Sequence, residues 1–299
     1  MVTSSPGRVR LPGESMSLSL RFTVRSDKGL VREVNEDSVY AAPHLLVVAD
    51  GMGGHAAGEV ASSVVISHMA ELGPERTRAE PMEALRGAIL AGNRAIADAV
   101  RTSPELEGMG TTLTAVLMEA DSDQFVVANV GDSRTYLMRD GELVLLTRDD
   151  SLVQTLLDDG RITAAEALAH PQRSMVTKAL VGGESLSPTL FRLRTLPGDR
   201  FLLCSDGLSD LVPEAQLAAA LGLSGREEAA DRLVELALAA GGRDNISVVV
   251  ADVVQGEAPA RPIVSRTPRQ TPHRDKRPLY ALAAAALAAG LAAYVLRSR

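Results

Sequence analysis

Five aspartates, Asp37, Asp50, Asp132, Asp206 and Asp244, share one setting in this chain. Each lies at the edge of an apolar or alternating run, with a glycine or an asparagine close by. Asp50 and Asp206 directly follow apolar runs and precede glycine, and Asp244 stands just ahead of a run. Strand ends of this kind gather on one rim of a stacked-sheet fold. Carboxylates on one rim repel each other, and their pKa values climb unless cations sit among them. A site built from oxygen alone selects hard ions, Mg2+ or Mn2+, over zinc. Taken singly, an Asp beside Gly is more often a turn residue than a ligand. Asp140-Gly141, in a polar hairpin, is the control and receives no role. The signal is in the set.

The pattern is densest at Leu45 to Gly58, Leu-Leu-Val-Val-Ala-Asp-Gly-Met-Gly-Gly-His-Ala-Ala-Gly. Leu45 to Ala49 reads as a buried strand, and the run after Asp50 is too rich in glycine for regular structure. Two chemistries fit this turn. One is a hard cation on the Asp50 side chain and the Gly51 carbonyl. The other is a phosphate on backbone amides at the start of the next helix.

The elements that must position these acids follow from periodicity. Alternation predicts a half-buried strand over 18–24, and strands are expected at 38–42 and 45–49. Apolar residues at helical spacing predict helices over 59–72 and 82–100. Strands follow at 113–118, 125–130 and 135–138, then 189–194 and 200–204. Helices are expected at 213–221 and 226–240, and a last strand at 246–252. Residues 149–182, with short helical pieces at 151–158 and 163–169, form an excursion from the sheet. Strands in runs and helices in pairs suggest two stacked antiparallel sheets with a helix layer outside each.

The chain has 299 residues, of which 45% are hydrophobic and only 3% aromatic, so its core must be Leu, Val and Ala. One cysteine leaves no disulfide framework and no thiolate zinc site. Residues 1–17 read as a loose terminus without the apolar stretch of a signal peptide. Net charge is −7; residues 255–299 hold eight Lys/Arg and two acids, +6, which leaves −13 on residues 1–254. An acidic body is a poor nucleic-acid binder and a reasonable collector of cations. Residues 18–254 are expected to form the folded domain, and 255–278, rich in Pro and Arg, a linker. Residues 279–296 carry no charge, have Tyr280 and Tyr294 near their ends, and are flanked by Arg and Lys. They predict a C-terminal transmembrane helix that holds the body on the cytoplasmic side of the cell membrane.

Six blocks now stand in order: Arg32 with Asn35-Glu36-Asp37-Ser38; Ala49 to His55; Gly110-Thr111-Thr112; Val130 to Arg134; Cys204 to Leu208; and Asp244-Asn245. Over residues 18–254 the chain resembles the bacterial metal-dependent serine/threonine protein phosphatases of the PPM (type 2C) class. The resemblance implies an α-β-β-α sandwich with a dinuclear Mn2+ or Mg2+ centre between the sheets. It implies that Asp50 bridges both ions and the Gly51 carbonyl holds one, with Asp206 and Asp244 on the other. Glu36 and Asp37 would act mainly through water, Asp132 with Asp206 would form a third, weaker site, and Arg32 would grip the phosphate. Two close cations activate a water for in-line attack on phosphorus. Met52 departs from the pattern, standing where animal members carry a histidine proposed as general acid. His55 is read first as a solvated loop residue and second as a proton donor. The excursion 149–182 corresponds to the flap of bacterial members. Expected partners are phosphorylated proteins, and through the membrane tail Ser/Thr kinases; a monomer is expected.

Other hydrolases and nucleotide folds fit poorly. From Cys204 the arginine position of a cysteine phosphatase is Asp210. Two helices in succession and the spacing Gly51, Gly53, Gly58 oppose a dinucleotide site. Gly-Lys-Ser/Thr is absent, and no two of the five histidines are spaced as a zinc pair. The alternatives kept are a metal-free binding module of the same fold, and the same chemistry on a small phosphoester or a sigma-factor regulator.

Overall fold

The computed structural model describes residues 18–53, 57–256 and 261–265. The chain enters through β1 (Leu18–Asp27), β2 (Ser38–Ala42), β3 (Leu45–Ala49) and the two-residue β4 (Gly51–Met52). Helices α1 (Ala57–Ala70), α2 (Pro74–Thr77) and α3 (Pro81–Thr102) follow. Next come β5 (Gly110–Thr111), β6 (Leu113–Met118), β7 (Gln124–Val130), β8 (Arg134–Arg139) and β9 (Glu142–Leu145). The excursion holds α4 (Leu152–Asp158) and α5 (Ala164–Leu168). The remainder is β10 (Thr189–Arg194), β11 (Arg200–Cys204), α6 (Asp206–Ser209), α7 (Glu214–Leu221), α8 (Arg226–Ala239), β12 (Ile246–Gln255) and β13 (Ile263–Ser265).

One sheet runs β1-β12-β11-β8-β9 and the other β10-β7-β6-β3-β2-β13, with every pairing antiparallel. The apolar runs are unbroken because both faces of each sheet are covered. Along β3, Leu45, Val47 and Ala49 pack with Ile66, Leu85 and Ile89 of α1 and α3. Leu46 and Val48 turn the other way, into the layer between the sheets with Phe125, Phe201 and Val249. Phe125 and Phe201 meet across that layer with ring centroids 5.7 Å apart. Leu202, Val248 and Val250 face outward onto Leu217 of α7 and Leu233 of α8. The expected pair of stacked antiparallel sheets between helix pairs is what forms.

Three local features differ from expectation. The glycine run opens in a ladder, with Gly51 opposite Thr111 and Met52 opposite Gly110. The segment expected as linker contributes β13, which pairs with β2 through Ile263↔Ala41 and Ser265↔Val39. Within the excursion a single bridge pairs Ser151 with Val176, and another, Thr111↔Leu180, ties it to β5. Among the described residues no helix is long and apolar enough to cross a membrane. The expected span at 279–296, the loose terminus 1–17 and His55 lie outside the described residues.

Candidate metal centre

All five aspartates come from chain segments that meet at one rim. A cleft of about 230 Å³ is lined by Arg32, Glu36, Asp50, Gly51, Met52, Thr112, Asp132, Asp206 and Asp244, with Ser174 and Val176 of the excursion closing one side. A larger groove of about 840 Å³ lies between α7 and α8 and contains none of these acids. Asp37 is buried directly behind the cleft.

Each acid is held by its own local device. Asp50 leaves the end of β3, and its backbone is fixed from two sides. Its N–H donates to Thr112 Oγ1 at 3.1 Å, while its carbonyl accepts from Thr112 N at 2.9 Å and Thr111 Oγ1 at 2.8 Å. Gly51 and Gly58 pack backbone to backbone, so a Cβ on Gly51 would strike the Gly58 carbonyl. Asp37 Oδ2 accepts from Ser205 Oγ at 2.9 Å, which links the ends of β2 and β11. Asp206 opens the single turn of α6. Asp132 follows Gly131, whose φ of +98° suits glycine and turns the chain from β7 into β8.

The Arg32 loop has little freedom, although it is irregular. The Asn245 carboxamide accepts from Glu36 N at 2.8 Å and donates to Lys28 O at 3.0 Å and Val34 O at 2.9 Å. The loop is therefore clamped at three points by one buried side chain. Arg32 Nη2 in turn donates to Asp244 Oδ2 at 2.7 Å. Arg134 of β8 has a different task. Its guanidinium forks onto Asp149 at 2.6–3.2 Å and anchors the root of the excursion.

The electrostatics are those of crowded acids. Burial, and then the charges of Asp37, Asp206, Asp132 and Asp244, hold the Asp50 carboxyl well above the usual range. Burial, and then Asp132, Asp210, Asp244 and Asp37, do the same to Asp206. Burial pushes Asp37 up to about 6, and burial with Asp149 pushes Asp132 up to about 7. Glu36 is raised by burial as well. Asp37 Oδ1 and Asp206 Oδ1 are buried with no hydrogen-bond partner in the structure. An orphaned, buried carboxylate oxygen is costly unless a cation or water meets it.

These observations decide between the two chemistries open at Asp50. The helix following the glycine run is α1, and a Cβ built on its Gly58 would meet Glu36 Oε1 at 2.8 Å, so the Glu36 carboxyl already lies against the helix start. An acid occupies the helix start, so a phosphate there would meet like charge. The donor set fits a hard cation instead. Among the described residues no three acidic, imidazole or thiol side chains close into a ready-made shell. A hard ion needs none, since it keeps several waters and accepts carbonyl oxygens such as that of Gly51.

The sequence model of the protein phosphatase 2C family matches residues 31–236. This chain belongs to the protein phosphatase 2C family. It is 54% identical over 239 residues to the serine/threonine protein phosphatase PstP of Mycobacterium tuberculosis, a match covering 80% of this chain and 46% of that protein. The chain thus spans about half the length of that relative. It is 37% identical over 238 residues to the serine/threonine phosphatase stp of Listeria welshimeri, covering 76% of this chain and 94% of that one. Among solved structures it resembles the catalytic domain of PstP in complex with two manganese ions. That match has a TM-score of 0.75 and 52% identity, and covers 80% of this chain and all of that one.

In this phosphatase 2C chain, Arg32, Glu36, Asp50, Gly51, Asp132, Asp206 and Asp244 line one cleft. Asp37 stands behind it, buried. Sequence reasoning missed the Asn245 clamp and the threonine brace on Asp50. The only signal was that Asn245 and Thr111-Thr112 stood inside motif blocks without chemistry of their own.

One packing consequence is testable without metal. Gly207 follows Asp206, and a Cβ there would run into the Asn245 carbonyl oxygen. Gly207→Ala is expected to cost about 3 kcal/mol in urea unfolding. Gly87, in mid-α3 with open space around it, is the control. Gly87→Ala is expected to stabilise by roughly 0.5–1 kcal/mol. Equal effects at the two positions would show that the contact at Gly207 is unimportant.

Proposed function

We propose that this chain is a protein serine/threonine phosphatase that hydrolyses phosphoserine and phosphothreonine with two Mn2+ or Mg2+ ions. The observation that carries the reading is the meeting of four aspartates and one arginine at a single cleft with Asp37 buried behind it, Asp37 Oδ1 and Asp206 Oδ1 being buried and unpartnered. The names of the relatives support it. Asp50, the Gly51 carbonyl, Asp206 and Asp244 would hold the two ions, and Glu36 and Asp37 would orient their waters. Asp132 with Asp206 would offer a third, weaker place. When bound, the ions supply Lewis acidity and lower the pKa of the attacking water.

The protein's own groups do the rest. The Arg32 guanidinium lies at the rim, where its planar fork can take two phosphoryl oxygens. Its partner in the structure is Asp244, which takes one Nη2 donor and leaves the other guanidinium N–H groups for a phosphate. Thr111 and Thr112 fix the backbone from which the Asp50 carboxylate projects. A metal-free binding module gains no support, because it would leave the two buried oxygens without partners.

The test is hydrolysis of a phosphothreonine peptide and of p-nitrophenyl phosphate by the full chain, with and without Mn2+. Activity should require the metal. Arg32→Ala should lower kcat/KM on both substrates by about 100-fold, the loss expected for a charged contact to the reacting group. Metal-independent activity, or an Arg32→Ala variant as active as the parent, would overturn the assignment.

The finer features of placement belong to the same reading. Residues 279–296 would anchor the chain in the cell membrane with the catalytic domain cytoplasmic, near Ser/Thr kinases whose products it removes. Fractionation of a chain lacking 279–299 checks this; a truncated chain still in the membrane fraction removes the anchor.

A further inference from the structure

Ten large apolar side chains are more than a third exposed among the described residues. Leu30, Val31, Val34, Met175 and Val181, half of them, belong to the segments that border the acidic cleft. The others sit on the edge strands β9 and β13 or in the turn at Leu196. Val31 and Val34 flank Arg32 in the chain and are 66% and 50% exposed. Met175, 51% exposed, stands between Ser174 and Val176, both of which line the cleft. A Cβ built on Gly110 would touch Val181 and Met52 together, so Val181 lies beside a cleft residue.

This exposure does not come from a loosely held chain. Val34 is clamped through its carbonyl by Asn245, and Leu30 N donates to Gly242 O at 2.7 Å. On the opposite side Leu152 N donates to Met175 O at 2.9 Å, and Lys178 Nζ pairs with Asp150 at 2.7 Å. Exposed apolar side chains grouped around one site, rather than scattered singly, mark a surface that another molecule covers. Their place around the cleft says what does. A polypeptide that puts a phosphoryl group among Arg32 and the aspartates must lie across this rim.

We propose that Val31 and Val34 on one side, and Met175 and Val181 on the other, bind the residues flanking the phosphorylated side chain, and that they select substrates with apolar flanks. The inference rests on the phosphatase reading above. The occupant is a polypeptide, because only a substrate whose chain continues on either side of the phosphorylated residue reaches the segments that border the cleft. Acidic flanks are disfavoured further by the −13 charge of residues 1–254.

The experiment compares kcat/KM on three substrates, with the full chain in saturating Mn2+. They are a phosphothreonine peptide with Leu and Val neighbours, the same peptide with Ser and Asp neighbours, and p-nitrophenyl phosphate. The parent is expected to prefer the apolar peptide about tenfold, the scale set by burying one or two aliphatic side chains. In Val31→Ser/Val34→Ser, and separately in Met175→Ser, the ratio of apolar-peptide to p-nitrophenyl phosphate kcat/KM should fall about three- to tenfold, chiefly through KM. Two variants on opposite sides keep the test open if one folds poorly. Equal rates on the two peptides, or a fall shared equally by the peptide and p-nitrophenyl phosphate, would overturn the rim. Failure to hydrolyse any of the three would instead overturn the phosphatase reading beneath it.

Discussion

Asp50→Asn is expected to lower phosphatase activity by about a thousandfold or more while raising the melting temperature of the metal-free protein. The two effects have one cause. Asp50 stands at the centre of the acid cluster, with its carboxyl raised by burial and by four neighbouring carboxylates. An ionised group in such a place is retained against its cost because an ion needs it. Asparagine has nearly the same shape and carries no charge. It relieves the repulsion on Asp206 and Asp37 and removes the ligand at the same stroke. Each kcal/mol recovered should raise Tm by about 2–4 °C in a domain of this size. Calorimetry in chelator and peptide turnover in Mn2+ read the two halves separately. A variant that keeps its activity would place the reaction away from Asp50. An inactive variant with a lowered Tm would mean that Asp50 supports the fold and that the acid cluster is not its source of strain.

Metal-free protein should be more stable at pH 5 than at pH 7.5, and Mn2+ should reverse the order. Asp37 and Asp132 are raised to about 6 and about 7, and Asp50 and Asp206 are raised as well. A carboxyl raised in the folded state keeps its proton where the unfolded chain has already lost it. Its contribution is therefore fully present below the ordinary carboxylate pKa of about 4 and is lost as pH rises through 6 and 7. Protons and cations compete for the same oxygens, so the Mn2+-induced rise in Tm should be large at pH 7.5 and small at pH 5. At a metal concentration 100 times Kd the linkage is worth about 2.7 kcal/mol. Four thermal melts, at two pH values with chelator or Mn2+, decide it. A Mn2+ shift of equal size at both pH values would separate the metal from the raised carboxylates.

The strands and the long helices were legible because burial on both faces leaves a plain mark. Leu45–Ala49, Arg200–Cys204 and Ile246–Gln255 read as apolar runs, and α1 and α3 as helical stripes, before any partner is known. The acids were legible because each follows or precedes such a run. Short elements were not. β4 and β5 are two residues each, and β13 is three, and none has a period to detect. Each forms only because a partner strand lies within reach, which is a matter of tertiary pairing.

By itself, then, the chain determined its layers, its turns and the residue types on one rim, since these depend on neighbours a few positions away. What only the tertiary structure decided are the contacts between residues 168 to 217 positions apart. Asn245 clamps the loop at Lys28 and Val34, Arg32 meets Asp244, and Asp37 is braced from Ser205. The helix start at Gly58, open to a phosphate in the sequence, lies against the Glu36 carboxyl once α1 packs beside β2. Hydrogen-bond partners of that kind are set by which backbone ends arrive together, and no local pattern of side chains encodes the arrival.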